Sequence, residues 1–201
     1  DNDCAMALVA EAALGAAREA RSVAMLTIGT GIGGAVMDGG KILRGHLSAG
    51  QLGHISVDPS GLPCLCGKRG CLETVSSGTS LGRHIRQASL PADTRAIDLL
   101  ARAEAGDSVA AAVLDAWARP LRTAIDDLVA TLDPDLVVLG GGLGQEACAA
   151  VARVPAATSW FEARIAPARL GDDAGVVGAA LAALAGAARK RLVLVNGVPA
   201  S

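Results

Sequence analysis

Gly53-His54-Ile55-Ser56-Val57-Asp58-Pro59-Ser60-Gly61-Leu62-Pro63-Cys64-Leu65-Cys66-Gly67-Lys68-Arg69-Gly70-Cys71-Leu72-Glu73 is the stretch on which the reading of this sequence turns. One imidazole, His54, and three thiols, Cys64, Cys66 and Cys71, fall close together in it. Such a set completes a tetrahedron without water and matches a closed, structural zinc site. Ser60, Gly61, Pro63, Gly67 and Gly70 are poor formers of regular structure, so a metal would supply order that packing does not. Thiols this clustered are read as metal ligands before disulfides in a protein of cytoplasmic character.

Working outward, the whole chain has 201 residues, enough for one or two domains. It is 51% hydrophobic with 25 Gly, two Trp, one Phe and no Tyr, so its core is built from Ala, Val, Leu and Ile. Eighteen basic and 20 acidic residues leave a formal charge of −2, which gives no footprint for nucleic acid or an anionic membrane. No apolar window has the length of a membrane span. The chain opens at Asp1 without a Met and is read as an excised piece.

Residues 5–20 are expected to form an Ala-rich helix, followed by a buried strand over 22–28. Gly29-Thr30-Gly31-Ile32-Gly33-Gly34 stops that strand, and Asp38-Gly39-Gly40 signals a hairpin between 35–37 and 41–43. Helices are expected over 77–88 and 94–105, then from a cap at Asp107 to Leu132, with Pro120 bending or splitting the last. Leu136–Leu139 reads as a buried strand running into Gly140-Gly141-Gly142, followed by a helix over 145–152, irregular segments to Gly171 and a helix over 175–187. Alternating strands and helices imply an α/β layer architecture, with glycine clusters at strand ends where ligands bind.

The tail departs from this pattern. Leu192-Val193-Leu194-Val195 reads as a strand, and Asn196-Gly197-Val198-Pro199-Ala200-Ser201 resembles the opening of a phosphate-binding loop. Residues 187–201 are therefore expected to be a linker and the first strand of a fused P-loop domain.

The turn at Gly29–Gly34 offers backbone N–H groups unshielded by a Cβ, which suits phosphate. A strand and not a helix follows it, which argues against a dinucleotide fingerprint. Taken with the metal loop, Gly50-Gln51-Leu52-Gly53-His54, Asp1-Asn2-Asp3-Cys4-Ala5 and Val137-Val138-Leu139-Gly140-Gly141-Gly142, it resembles the ROK family of sugar kinases and sugar-responsive repressors over residues 1–186. The resemblance implies the C-terminal lobe of an actin-like (ribonuclease-H-like) ATPase with an inserted zinc loop at 53–73, lacking the family's N-terminal lobe.

The same resemblance implies roles residue by residue. Asp3 is the general base toward a sugar hydroxyl. Asn2, Gln51, His54 and Glu73 hold the sugar, with His54 sharing its ring between zinc and substrate. Thr30 and Gly31 cradle phosphate, and Gly141 and Gly142 lie against adenosine. His54, Cys64, Cys66 and Cys71 hold the structural zinc, and ATP with Mg is the co-substrate. Gln51 stands where the family usually has Glu, which removes a charge from the sugar site. The implied activity is ATP-dependent phosphorylation of a hexose or N-acetylhexosamine by a cytoplasmic homodimer, the fragment alone being inactive. The rival reading is the sugar-sensing domain of a ROK repressor; a third is a degenerate lobe kept as a folding scaffold.

Overall fold

A computed structural model describes residues 2–46, 48–157, 159–160 and 162–196, with side chains through residue 185. In chain order the elements are α1 (Asp3–Leu14), β1 (Val23–Ile28), β2 (Ile32–Asp38), β3 (Lys41–Ile42), α2 (Leu72–Ser76), α3 (Gly78–Gln87), α4 (Ala96–Glu104), α5 (Ser108–Leu132), β4 (Leu136–Gly140), α6 (Gly144–Val151), β5 (Arg164–Pro167) and α7 (Ala174–Asn196). A 3₁₀ turn at Leu52–His54 precedes the cysteine loop.

The strands form one mixed sheet in the order β3-β2-β1-β4-β5. β1 pairs antiparallel with β2 and parallel with β4, and β4 pairs parallel with β5. The two-residue periodicity of the central strands divides the core. Ala24, Leu26 and Ile28 of β1 join Val137 and Leu139 of β4 under α4, α5 and α6, around the fully buried Trp117. Val23, Met25, Leu136 and Val138 face the other way, toward α1 and the start of α7. The result is a helix–sheet–helix sandwich, as the alternating pattern implies.

Several expectations are corrected by the structure. The first helix stops at Leu14, because the Glu11 carboxylate captures the Ala16 N–H at 2.6 Å and turns the chain. Pro120 does not split α5, which runs unbroken over 25 residues. Proline removes the bond to the carbonyl four residues earlier, and that residue, Ala116, is exposed to water. The next carbonyl, that of Trp117, also accepts from the Ser76 hydroxyl at 2.8 Å. Residues 164–167, expected to be irregular, form the edge strand β5. Leu192–Val195, expected as a strand, continue α7. A strand needs a neighbour for its backbone groups, whereas a helix satisfies them within the segment. Gly197–Ser201, where the phosphate-loop reading falls, lie outside the described residues.

Candidate functional site

The hairpin between β1 and β2 organises the site. Its turn is fastened to the start of α3: the Gly78 N–H donates to the Gly29 carbonyl (2.8 Å), and the Thr79 hydroxyl to the Thr30 carbonyl (2.8 Å). On one side of β2, a Cβ at Gly33 would fall 2.4 Å from Cys4 Sγ, so the absence of a side chain there lets α1 approach. The 3₁₀ turn uses the same device: a Cβ at Gly53 would meet the Ile32 carbonyl at 2.0 Å, which brings the neighbouring His54 against β2.

His54, Cys64, Cys66 and Cys71 converge, with donor atoms all within 4.8 Å of one another. Cys64 Sγ lies 3.6 Å from His54 Nδ1, and Cys66 Sγ 3.5 Å from Cys71 Sγ. Bonds of about 2.3 Å to a tetrahedral zinc would set such ligands about 3.8 Å apart, so the residues fit that ion. The loop folds by backbone bonds, Cys64 N–H to the Lys68 carbonyl (2.8 Å) and Gly67 N–H to the Cys64 carbonyl (3.0 Å), which hold the middle thiols in one turn. Burial, followed by bonding with Cys66 and Cys64, pushes the Cys71 thiol up to about 12. The backbone of Lys68 lowers that of Cys66. Three thiolates crowded together repel, and a divalent cation removes that conflict.

Glu73, in the first turn of α2, accepts the Ile32 N–H on Oε2 at 2.9 Å. It lines a groove of about 370 Å³ with Thr30, Gly31 and Cys64, between the hairpin turn and the cysteine loop. Thr79, Ser80 and Arg83 also line this groove and carried no sequence expectation. The helix-start pattern Ser77-Gly78-Thr79-Ser80 was the available signal.

Asp3 lies in the first turn of α1, capped by Asn2, whose side-chain oxygen accepts the Ala5 N–H at 2.6 Å. Asp3 Oδ1 accepts from the Cys4 N–H (2.9 Å) and faces the Cys4 thiol (3.4 Å), which in turn contacts the Thr27 hydroxyl at 3.0 Å. Burial pushes the Cys4 thiol up, which keeps it protonated and able to donate. A second groove of about 180 Å³ holds Asp3, Thr27, Gly141 and Asp172. Gly141 reaches it because its φ is +77° and because a Cβ there would meet the Ile28 carbonyl at 2.6 Å. Nothing stands within 4 Å of a Cβ on Gly142. Asp172 carried no expectation; Gly171-Asp172-Asp173 at a helix start was its signal.

The structure thus unites Asp3 with Gly141 in one groove, and Thr30 and Gly31 with Glu73 and Cys64 in another. Asn2, Gln51, His54 and Gly142 line neither. Gln51 is exposed ahead of the 3₁₀ turn, where its carbonyl accepts the His54 N–H at 3.0 Å.

Comparison with known proteins agrees with this architecture. The chain belongs to the ROK family, whose model matches residues 1–186. It is 36% identical to a glucokinase of Halalkalibacterium halodurans, over 89% of this chain and 61% of the relative. It is 39% identical to an N-acetylmannosamine kinase of Escherichia coli, over 79% of this chain and 55% of the relative. The chain therefore spans less than two thirds of the length of these kinases. Among solved structures, a ROK glucokinase of Streptomyces griseus in complex with glucose and AMPPNP superimposes with a TM-score of 0.77 at 30% identity, covering 89% of this chain and 65% of that one. A ROK transcriptional regulator, a homologue of the E. coli MLC protein, superimposes with a TM-score of 0.74 at 28% identity, covering 90% of this chain and 50% of that one. Among the described residues no helix is long and apolar enough to cross a membrane.

Proposed function

We propose that residues 1–186 are the C-terminal lobe of an ATP-dependent sugar kinase acting on a hydroxyl of a hexose or N-acetylhexosamine. The observation that carries this reading is the shared groove of Asp3 and Gly141: a carboxylate stands beside a side-chain-free turn at the carboxyl ends of two parallel strands. In the reaction the sugar hydroxyl oxygen attacks the γ-phosphorus of ATP, and Asp3 accepts the hydroxyl proton. The bond from the γ-phosphorus to the β–γ bridging oxygen breaks, and ADP leaves with Mg. Thr30 and Gly31 offer the hairpin turn to phosphate, while the open flank of Gly142 receives the nucleoside. Glu73 and His54, with Asn2 and Gln51, address the sugar.

Zinc, held by His54, Cys64, Cys66 and Cys71, supplies structural order; with four protein ligands it has no open position for activating water. The proposal extends to a cytoplasmic homodimer, the resemblance being its only support. A fused P-loop domain following α7 is a separate proposal, tested by reading the sequence beyond Ser201 for Gly-Lys-Ser/Thr.

The test is to supply the full-length protein with ATP and a panel of hexoses and N-acetylhexosamines and to follow ADP release. Sugar-dependent release is expected; its absence with every sugar would sink the kinase reading. The likeness to a ROK transcriptional regulator favours one alternative, a sugar-sensing domain. In that case sugar binds without ATP consumption.

A further inference from the structure

Glu11 is fully buried, yet it is a carboxylate in the middle of an apolar helix. Its two oxygens are saturated by backbone: Oε2 takes the Ala16 N–H at 2.6 Å, and Oε1 takes the N–H groups of Arg169 and Leu170, both at 2.8 Å. This staple clamps the turn after α1 to the segment leaving β5. Between the two clamped segments lies a groove of about 390 Å³, lined by Arg18, Arg164 and Arg169 with Glu19 the single acid.

Four arginines elsewhere in the chain are paired. Arg95, Arg102, Arg119 and Arg122 each pair with an aspartate three to five residues away in sequence. Arg18, Arg164 and Arg169 have no ion pair among the described residues, although the chain as a whole carries more acids than bases. Three exposed arginines along one groove repel one another unless an anion joins them. Their planar forks match the oxygens of a phosphoryl group. The groove has the volume of a small-molecule site and exceeds what a bare phosphate fills.

We propose that this groove binds a phosphorylated small molecule of sugar-phosphate size, with its phosphoryl group held by Arg18, Arg164 and Arg169. The site is separate from both grooves described above and does not depend on the kinase reading. It touches one of them through the main chain: Arg169 lines the arginine groove, and its neighbour Ala168 lines the groove of Asp3 and Gly141.

The experiment is calorimetric titration of the full-length protein with glucose 6-phosphate and, separately, with inorganic phosphate. It is repeated on Arg18→Ala, Arg164→Ala and a control, Lys41→Ala, whose charge is removed on the far edge strand β3. The expected result is saturable binding of glucose 6-phosphate, weakened roughly tenfold or more by each arginine change. Lys41→Ala keeps the parent affinity and all variants keep the parent melting temperature. Weaker binding of inorganic phosphate identifies an organic phosphate as the ligand, whereas equal binding of the two probes overturns the sugar-phosphate assignment. No binding of either probe overturns the proposal. So does binding that the arginine variants leave unchanged, because it then occurs elsewhere.

Discussion

The main-chain N–H of Ile32 donates to Glu73 Oε2 over 2.9 Å, joining the first residue of β2 to the first turn of the helix that follows the cysteine loop. Because Gly53 rests against the carbonyl of the same residue, Ile32 is the point where the hairpin, the imidazole of the histidine–cysteine cluster and Glu73 are fixed relative to one another.

Removing this carboxylate should loosen that junction. Glu73→Ala is expected to destabilise the fold by roughly 1.5–3 kcal/mol, the range for a hydrogen bond to a charged group, with Glu73→Gln costing less because it retains an acceptor. Chemical denaturation of the two variants measures it. Equal stability of Glu73→Ala and the parent would show that the bond contributes nothing.

The two glycines assigned to the nucleoside are expected to separate. Gly141→Ala must place a Cβ against the Ile28 carbonyl at a φ of +77°, costing at least roughly 1–2 kcal/mol. Gly142→Ala meets nothing within 4 Å, so its melting temperature should match the parent while nucleotide affinity falls. Thermal melts with and without an ATP analogue read both. Unchanged nucleotide affinity in Gly142→Ala would remove that residue from the binding surface.

These glycines show what the sequence discloses and what it hides. The strands Val23–Ile28 and Leu136–Gly140 are legible because both faces are buried and both runs are apolar, ending in glycine. The cluster of His54, Cys64, Cys66 and Cys71 is legible because its members are close in sequence and chemically distinctive. Strand β5 is not: Arg-Ile-Ala-Pro is short and half exposed, and it becomes a strand only through its partner β4. The break of the first helix at Leu14 is hidden for a related reason. Glu11 acts through bonds to Arg169 and Leu170, far along the chain, which no local pattern encodes. Thr27 reaches the groove of Asp3 through sheet geometry, which no local pattern encodes.

Metal content follows from the His54, Cys64, Cys66 and Cys71 set. Purified protein is expected to carry one equivalent of zinc, and Cys66→Ser to lower both zinc content and melting temperature. Elemental analysis with thermal melts checks this. Protein that is folded and metal-free would refute the assignment.

Stability should also carry an acid signature at Asp135. Its side chain accepts the Ser22 N–H (2.9 Å) and the Arg21 N–H (2.8 Å), and these bonds hold its carboxyl below the usual carboxylate range. A lowered folded value stabilises above the unfolded pKa, near about 3.9, and this contribution is lost as pH falls through the folded value. The difference in melting temperature between parent and Asp135→Asn should therefore be largest near neutral pH and shrink below about pH 4. A difference that stays constant with pH would contradict this origin.

The base assigned to Asp3 is tested most directly by steady-state turnover and sugar affinity of the full-length Asp3→Asn variant. Asparagine retains an acceptor for the Cys4 N–H but takes up no proton from a sugar hydroxyl. Turnover is predicted to fall by roughly 10²–10⁴-fold while sugar affinity stays near that of the parent. Turnover equal to the parent's would contradict the account.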